Sequence, residues 1–237
     1  MSKEEKMAEI RSNFTERSQE YDAWIRKIVP RYDEMLDALI SCIPFKKDTS
    51  FRAIDIGCGT GAVSKRLLDA FPRAELTCLD MTEKMMDLAK ERLKGRRNVR
   101  FVLSDIYDFE FDGPYDAVIS SLALHHIITD EDKKLVYRKI LGALAPGGSF
   151  FNADLVIGSD AAMQELNMSR WKEFMYRGLA RDYVDEVQVP RHYHEDSPSK
   201  LVDHLRWLEE AGFTGVDVAW KHLNFVVYGG RRPLLPP

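Results

Sequence analysis

Asp55-Ile56-Gly57-Cys58-Gly59-Thr60-Gly61-Ala62 sets three glycines two residues apart, between an apolar run and a helix-forming stretch. Glycines so placed permit a tight turn and a close backbone approach to a ligand. Gly57, Gly59 and Ala62 also satisfy the looser dinucleotide pattern G-x-G-x-x-G/A, and Asp80 follows where an acid would meet a ribose. The glycine spacing alone therefore does not separate a nicotinamide dinucleotide from a smaller nucleoside. Asp55 does so by its charge. Two residues before the first glycine, it repels a pyrophosphate and attracts a ligand carrying an ammonium and a sulfonium. Gly61 completes D-x-G-x-G-x-G, and Ser104-Asp105 brings another acid to the same sheet edge, where open α/β sheets bind ligands.

A second set of residues follows the later strands. His125 and His126 come after Leu122-Ala123-Leu124 and offer a general base, or else two satisfied core imidazoles. Asn152 and Asp154 end a strand at the same rim, where they bind substrate or cap the next segment. Trp171, Tyr176, Trp207, Trp220 and Asn224 are aromatic and amide candidates for an acceptor pocket, with Trp207 on a helix face that reads as core. His192 and His194 lie near Asp196, but nothing in their spacing sets a ligand geometry, so no metal is expected.

The elements that must position these groups alternate. Strands are expected at Phe51–Ile56, Glu75–Asp80, Val99–Val102, Tyr115–Ser120 and Ser149–Ala153, with helices at 62–70, Glu83–Lys94 and Lys133–Leu144 between them. Such alternation implies βαβ units in a doubly wound, Rossmann-like, mostly parallel α/β sheet. Before it, residues 1–47 read as a helical cap, and residues 51–154 form the core. Residues 155–200 read as an inserted helical lid with irregular joints. Residues 201–232 supply a closing helix, Leu201–Ala211, and an antiparallel hairpin from Val216–Trp220 and Leu223–Tyr228. All of this is read as a single domain over 1–237.

The composition is that of an ordinary globular chain: 237 residues, 45% apolar, 30% charged, net charge −4. A weak acidic excess does not suit duplex nucleic acid, whose binding needs cations to replace condensed counterions. Cys42, Cys58 and Cys78 are odd in number and lack C-x-x-C spacing, which suits a reducing compartment. No signal-peptide core or apolar run of membrane-spanning length is found. A cytoplasmic protein without membrane partners is expected, and a homodimer is left open.

Residues 52–154 resemble the cofactor domain of class I S-adenosylmethionine-dependent methyltransferases of the small-molecule type. The glycine loop resembles that family's first motif. The resemblance implies S-adenosyl-L-methionine as cofactor, with Asp55, Gly57, Gly59 and Gly61 around its methionine end and Asp80, with Met81 beside it, on the ribose. It further implies Asp105 and Ile106 at the adenine and Ser120, Ser121 and Leu122 along the transfer region, while Leu144-Ala145-Pro146-Gly147-Gly148 matches the turn before strand five. Phe14, Arg17, Ser18 and Tyr21-Asp22 resemble an N-terminal segment whose tyrosine contacts the methionine end, and Arg17 is taken as a substrate contact.

Methyl transfer to a small molecule by direct displacement is the function so implied. The tail is also similar to carboxy-S-adenosylmethionine synthase, a tRNA-modification enzyme. That family uses an arginine on the helix before Ala211-Gly212-Phe213, where Trp207 stands here and Arg206 is turned by about 100°. A non-catalytic cofactor-binding module is the remaining alternative.

Overall fold

The computed structural model describes residues 3–234; residues 1, 2 and 235–237 of the expected cap and tail lie outside that range. β1 (Arg52–Ile56) is buried along nearly its whole length. Ala53 packs into one apolar cluster, and Ile54 and Ile56 into another, as the two-residue period of a strand covered on both faces requires. Around it stand β2 (Glu75–Asp80), β3 (Val99–Leu103), β4 (Tyr115–Ser121), β5 (Leu144–Leu155), β6 (Thr214–His222) and β7 (Phe225–Arg231). The seven strands run in the order β3-β2-β1-β4-β5-β7-β6. β1 to β5 are parallel, and β7 and β6 add antiparallel to β5 and β7. The doubly wound, mostly parallel sheet with a terminal hairpin expected from the sequence is thus the fold observed.

The strand order reverses between β1 and β4. Ile56 is level with Leu79 of β2 and Ser120 of β4, so the loops after these strands open into one crevice, where such sheets bind ligands.

One sheet face is covered by α2 (Tyr21–Ile28), α3 (Tyr32–Ser41), α4 (Ala62–Ala70) and α5 (Glu83–Arg92), through Ile28, Leu36, Leu39, Leu67 and Met86. The other is covered by α6 (Asp130–Ala143) and the closing helix, through Tyr137, Ile140 and Leu208. α1 (Lys3–Arg17) crosses the carboxyl edge of the sheet. Lys3 meets Asp132 at 2.7 Å, and Lys6 donates to Ser197 Oγ at 3.0 Å. Residues 155–200 contain α7 (Ala161–Met175), α8 (Arg181–Tyr183), a π-helical turn (Val184–Gln188) and α9 (Val189–Glu195). The closing helix is α10 (Leu201–Ala211). Among the described residues no helix is long and apolar enough to cross a membrane.

Several boundaries differ from the sequence expectation by one to a few residues, three of them for an identifiable reason. α6 starts at Asp130 rather than Lys133, because the Thr129 side chain caps it by accepting from Asp132 N at 3.2 Å. β5 starts at Leu144 and runs through Pro146-Gly147-Gly148. A bulge between its pairings with Tyr115 and Ala117 absorbs the turn residues, and Gly147 N donates to Arg232 O. The hairpin strands are longer than expected, because long-range pairing with β5 extends β7 to Arg231.

Candidate active site

The crevice holds a cleft whose empty space, open mouth included, is about 950 Å³. Its floor is the glycine loop. Gly57 has φ +69°, and a Cβ there would lie 2.3 Å from Cβ of Ala123, so no larger residue fits between β1 and the loop after β4. Asp55, 0% exposed, lies under this loop. Its Oδ2 accepts from Ser64 Oγ at 2.6 Å, whereas Oδ1 is buried without a hydrogen-bond partner. Burial pushes its carboxyl up to about 7, nearby Asp80 adds to this, and the Ser64 hydrogen bond opposes it. An unpartnered carboxylate oxygen lining a cleft suits an ammonium group.

Asp80 sits at the tip of β2. Gly59 N donates to its Oδ2 and Thr82 N to its Oδ1, each at 2.8 Å. Burial holds this carboxyl above its usual range against those bonds. The carboxylate thereby ties the glycine loop to the start of α5, and its remaining lone pairs are free to accept hydroxyls. Asp105 follows β3, accepts from Tyr107 N at 3.1 Å, and lies 3.8 Å from Arg11 of α1.

Tyr21, Gly57, Gly59, Met81, Ile106, Ser121 and Leu122 line the same cleft with the three acids. Two expected members do not. Gly61 has φ +78° and lies against Ala89, with only 3.2 Å for a Cβ, so its role is the packing of α4 on α5. Ser120 is fully buried and donates to Ile56 O at 2.7 Å, which ties β4 to β1.

A second cavity of about 540 Å³ adjoins the first. Its walls come from α1 and α2, the 3₁₀ turn Leu124–His126, Trp171 of α7, and the π-turn with α9. Phe14, Tyr21, Leu122 and His126 line both cavities. Leu122 does so with φ +52°, a conformation costly for a branched side chain. Its N–H donates to Ala153 O at 2.8 Å, which holds the turn in place. Arg17 lines the second cavity, but Glu195 takes its Nη2 with both oxygens at 3.1 and 2.8 Å. Trp171 donates from Nε1 to Ile28 O at 2.5 Å.

The histidines differ in environment. His125 Nδ1 lies 2.5 Å from Asp154 Oδ1, and its Nε2 lies 3.5 Å from Asp196 Oδ1. Burial alone would lower its pKa, but these two carboxylates prevail and push it up to about 10. His126 is lowered to about 4, first by burial and then by the charge of His125. Burial raises the carboxyl of Asp154, but His125 outweighs this and holds it below the usual range.

Asn152 and Asp154 were expected at the rim and instead lie behind it. Asn152 Nδ2 donates to Asp154 Oδ2 at 2.9 Å and to Tyr228 OH at 3.1 Å. Tyr228 in turn meets Tyr137 at 2.9 Å, and Tyr137 meets His204 at 2.7 Å. This chain runs along the sheet face covered by α6 and α10, where β7 pairs with β5 and encloses the polar residues at its end. Tyr176 is on the outer side of α7, donating to Asp185 at 2.9 Å. Trp207, Trp220 and Asn224 line neither cavity. Sequence reading missed Gln188, Arg191 and Glu195 of the second cavity, and Thr60, which donates to Asp22 Oδ1 at 2.7 Å and locks α2 onto the glycine loop. The only signal of the first three was the polar character of a segment without strand or helix period, whereas Thr60 lies within the glycine motif itself.

Residues 53–148 match a family profile described as a methyltransferase domain. Over those residues the chain is therefore similar to a methyltransferase domain. The chain is 32% identical over 117 residues to malonyl-[acyl-carrier protein] O-methyltransferase of Bacillus anthracis, covering 48% of this chain and 42% of that protein. A second such enzyme, from Ilyobacter polytropus, is 27% identical over 59% of this chain and 51% of its own length. The chain thus spans about half or less of these relatives. It is 24% identical over 219 residues to carboxy-S-adenosyl-L-methionine synthase of Helicobacter pylori strain G27, at 90% coverage of both chains. The structure of DhpI in complex with SAH superposes with TM-score 0.64 at 20% identity, covering 94% of this chain and 95% of that chain. At that identity the likeness is one of fold.

Proposed function

We propose that this protein is a methyltransferase that binds S-adenosyl-L-methionine in the first cavity and transfers its methyl group to a small molecule held in the second. The carrying observation is the shared wall: Phe14, Tyr21, Leu122 and His126 face both spaces. When bound, the cofactor supplies an electrophilic methyl; the acceptor's lone pair forms the new bond as the carbon–sulfur electron pair returns to sulfur. The chain's part is to align and to exclude water. Asp55 would hold the ammonium, Asp80 the ribose hydroxyls and Asp105 the adenine amino group. Phe14, Tyr21 and Leu122 give the transfer point an apolar boundary. His125, held between two carboxylates, is a positioning residue rather than a free base, and His126 is the polar side chain at the shared wall.

An acceptor cavity closed over by α1 and α9 supports a small molecule and not a duplex. The free thiols of Cys42, Cys58 and Cys78 support a cytoplasmic setting. Incubation with methyl-labelled cofactor and a metabolite extract, followed by mass spectrometry, tests the proposal: label is expected in one small product. Tight cofactor binding with no transfer across a broad extract would leave the binding-module reading instead.

The end-to-end match to carboxy-S-adenosyl-L-methionine synthase favours a second reading, in which the cofactor carries an extra carboxylate. Trp207, 4% exposed, lines neither cavity, and exposed Arg206 pairs with Asp203 at 2.7 Å. Neither provides a cation at the site. The mass of nucleoside copurifying with the protein decides between the two readings.

A further inference from the structure

We propose that His125, His126 and Asp196 bind a divalent transition-metal ion in the wall of the acceptor cavity. The three residues come from two distant segments: the histidines from the 3₁₀ turn after β4, and Asp196 from the end of α9. His125 Nε2 and His126 Nδ1 each lie 3.5 Å from the same atom, Asp196 Oδ1. All three atoms lie within 4.8 Å of one another. For an ion with bonds of about 2.0–2.1 Å in tetrahedral geometry, ligand atoms are spaced about 3.3–3.4 Å apart. The two nitrogen–oxygen separations are thus long for hydrogen bonds and close to those around a shared ion.

An independent observation is the His126 ring. The residue is 8% exposed, and its Nδ1 has no hydrogen-bond partner. A buried ring nitrogen left so costs stability unless something occupies it. The ring centroids of His125 and His126 are only 4.1 Å apart, so two adjacent side chains converge where a turn would usually splay them.

The outer contacts have the form found around metal ligands. Asp154, itself bonded by Asn152 and by Leu155 N, takes His125 Nδ1 and so leaves Nε2 facing inward. His192 Nδ1 lies 2.7 Å from Asp196 Oδ2, which leaves Oδ1 for the ion. Two buried carboxylates around two imidazoles favour a doubly charged guest. Two imidazoles with one carboxylate suit a borderline ion such as Zn2+ or Co2+ better than Mg2+ or Cu+.

Three protein ligands leave a position for a further ligand, and all three residues line the second cavity. An acceptor hydroxyl or thiol bound there would lose its proton to water more readily, by Lewis-acid polarisation. That role rests on the methyl-transfer reading; the binding of the ion does not.

The experiment titrates the full chain, stripped with a chelator, with Co2+ read by visible absorption and Zn2+ read by competition. Stoichiometric binding is expected, lost in His126→Ala and unchanged in His194→Gln, whose imidazole pairs with Glu9 at the surface. His192→Gln keeps all three ligands and should weaken binding about 10- to 100-fold, which keeps the test decisive if His126→Ala fails to fold. Wild-type protein that binds no stoichiometric ion, or a His192→Gln protein that binds as tightly as wild type, overturns the proposal. Cofactor binding and methyl transfer are measured separately, so a failure of either leaves the metal result standing, and the reverse.

Discussion

Ser64 Oγ donates to Asp55 Oδ2 at 2.6 Å, while the other oxygen of the same carboxylate is buried and unpartnered. Ser64 thereby orients a group that is half satisfied until a cation arrives. With the Asp55 carboxyl pushed up to about 7, the empty protein holds a proton there that unfolded chain, at 3.8, does not. Its stabilising contribution is present below the unfolded value and lost as pH rises through 7. Cofactor binding should run the other way. The ammonium needs the ionised form, so affinity should fall as pH drops from about 8 to about 6, by up to roughly tenfold per unit below 7. Calorimetry across that range checks this, and Asp55→Asn should abolish the pH dependence.

Asp80 joins Gly59 and Thr82 through two backbone hydrogen bonds. Asp80→Ala is expected to weaken cofactor binding by about 1.5–3 kcal/mol, as for bonds to a charged group. It should also lower the unfolding midpoint, since the loop and α5 lose their tie. Unchanged affinity by calorimetry would show that the ribose is not held at β2.

Arg17 and Glu195 are 178 residues apart in the chain and close the second cavity between α1 and α9. Arg17→Ala and Glu195→Gln should each destabilise, but the double variant should fall short of their sum. A coupling of about 1–3 kcal/mol is expected for partners in one network. Denaturant unfolding of the four proteins measures it, and strict additivity would remove the latch.

His204 is lowered to about 4, first by burial and then by Lys133. It is neutral in the fold and protonates near 6.5 when unfolded. The stability this represents is present above 6.5 and lost as pH falls to 4, about 3 kcal/mol for a shift of that size. His204→Phe should therefore lose less stability than wild type between about pH 7 and pH 4.5. Equal losses in the two proteins, by chemical denaturation, would refute the assignment.

Much of the first cavity was legible before any coordinates. Asp55, Asp80 and Asp105 each end a strand, and the alternation of apolar runs locates strand ends. A parallel sheet then brings those ends to one edge, whatever the rest of the chain does. Gly61 and Ser120 show the limit: motif order placed them near the ligand, but which face a side chain takes depends on Ala89 and Ile56, which pack against them.

The second cavity was legible only in part: Arg17, Tyr21, Leu122, His125, His126 and Trp171 were named from the sequence, whereas Gln188, Arg191 and Glu195 share no local pattern. The sequence by itself determined the sheet, its glycine loop and the acidic strand tips, since short-range period and turn chemistry specify these. Only the tertiary structure decided that Arg17 faces Glu195, that Asp154 stands behind His125, and that His125 and His126 converge on Asp196. Those pairings close loops of many residues, and they are settled by which buried charges and imidazoles can satisfy one another once the helices have docked.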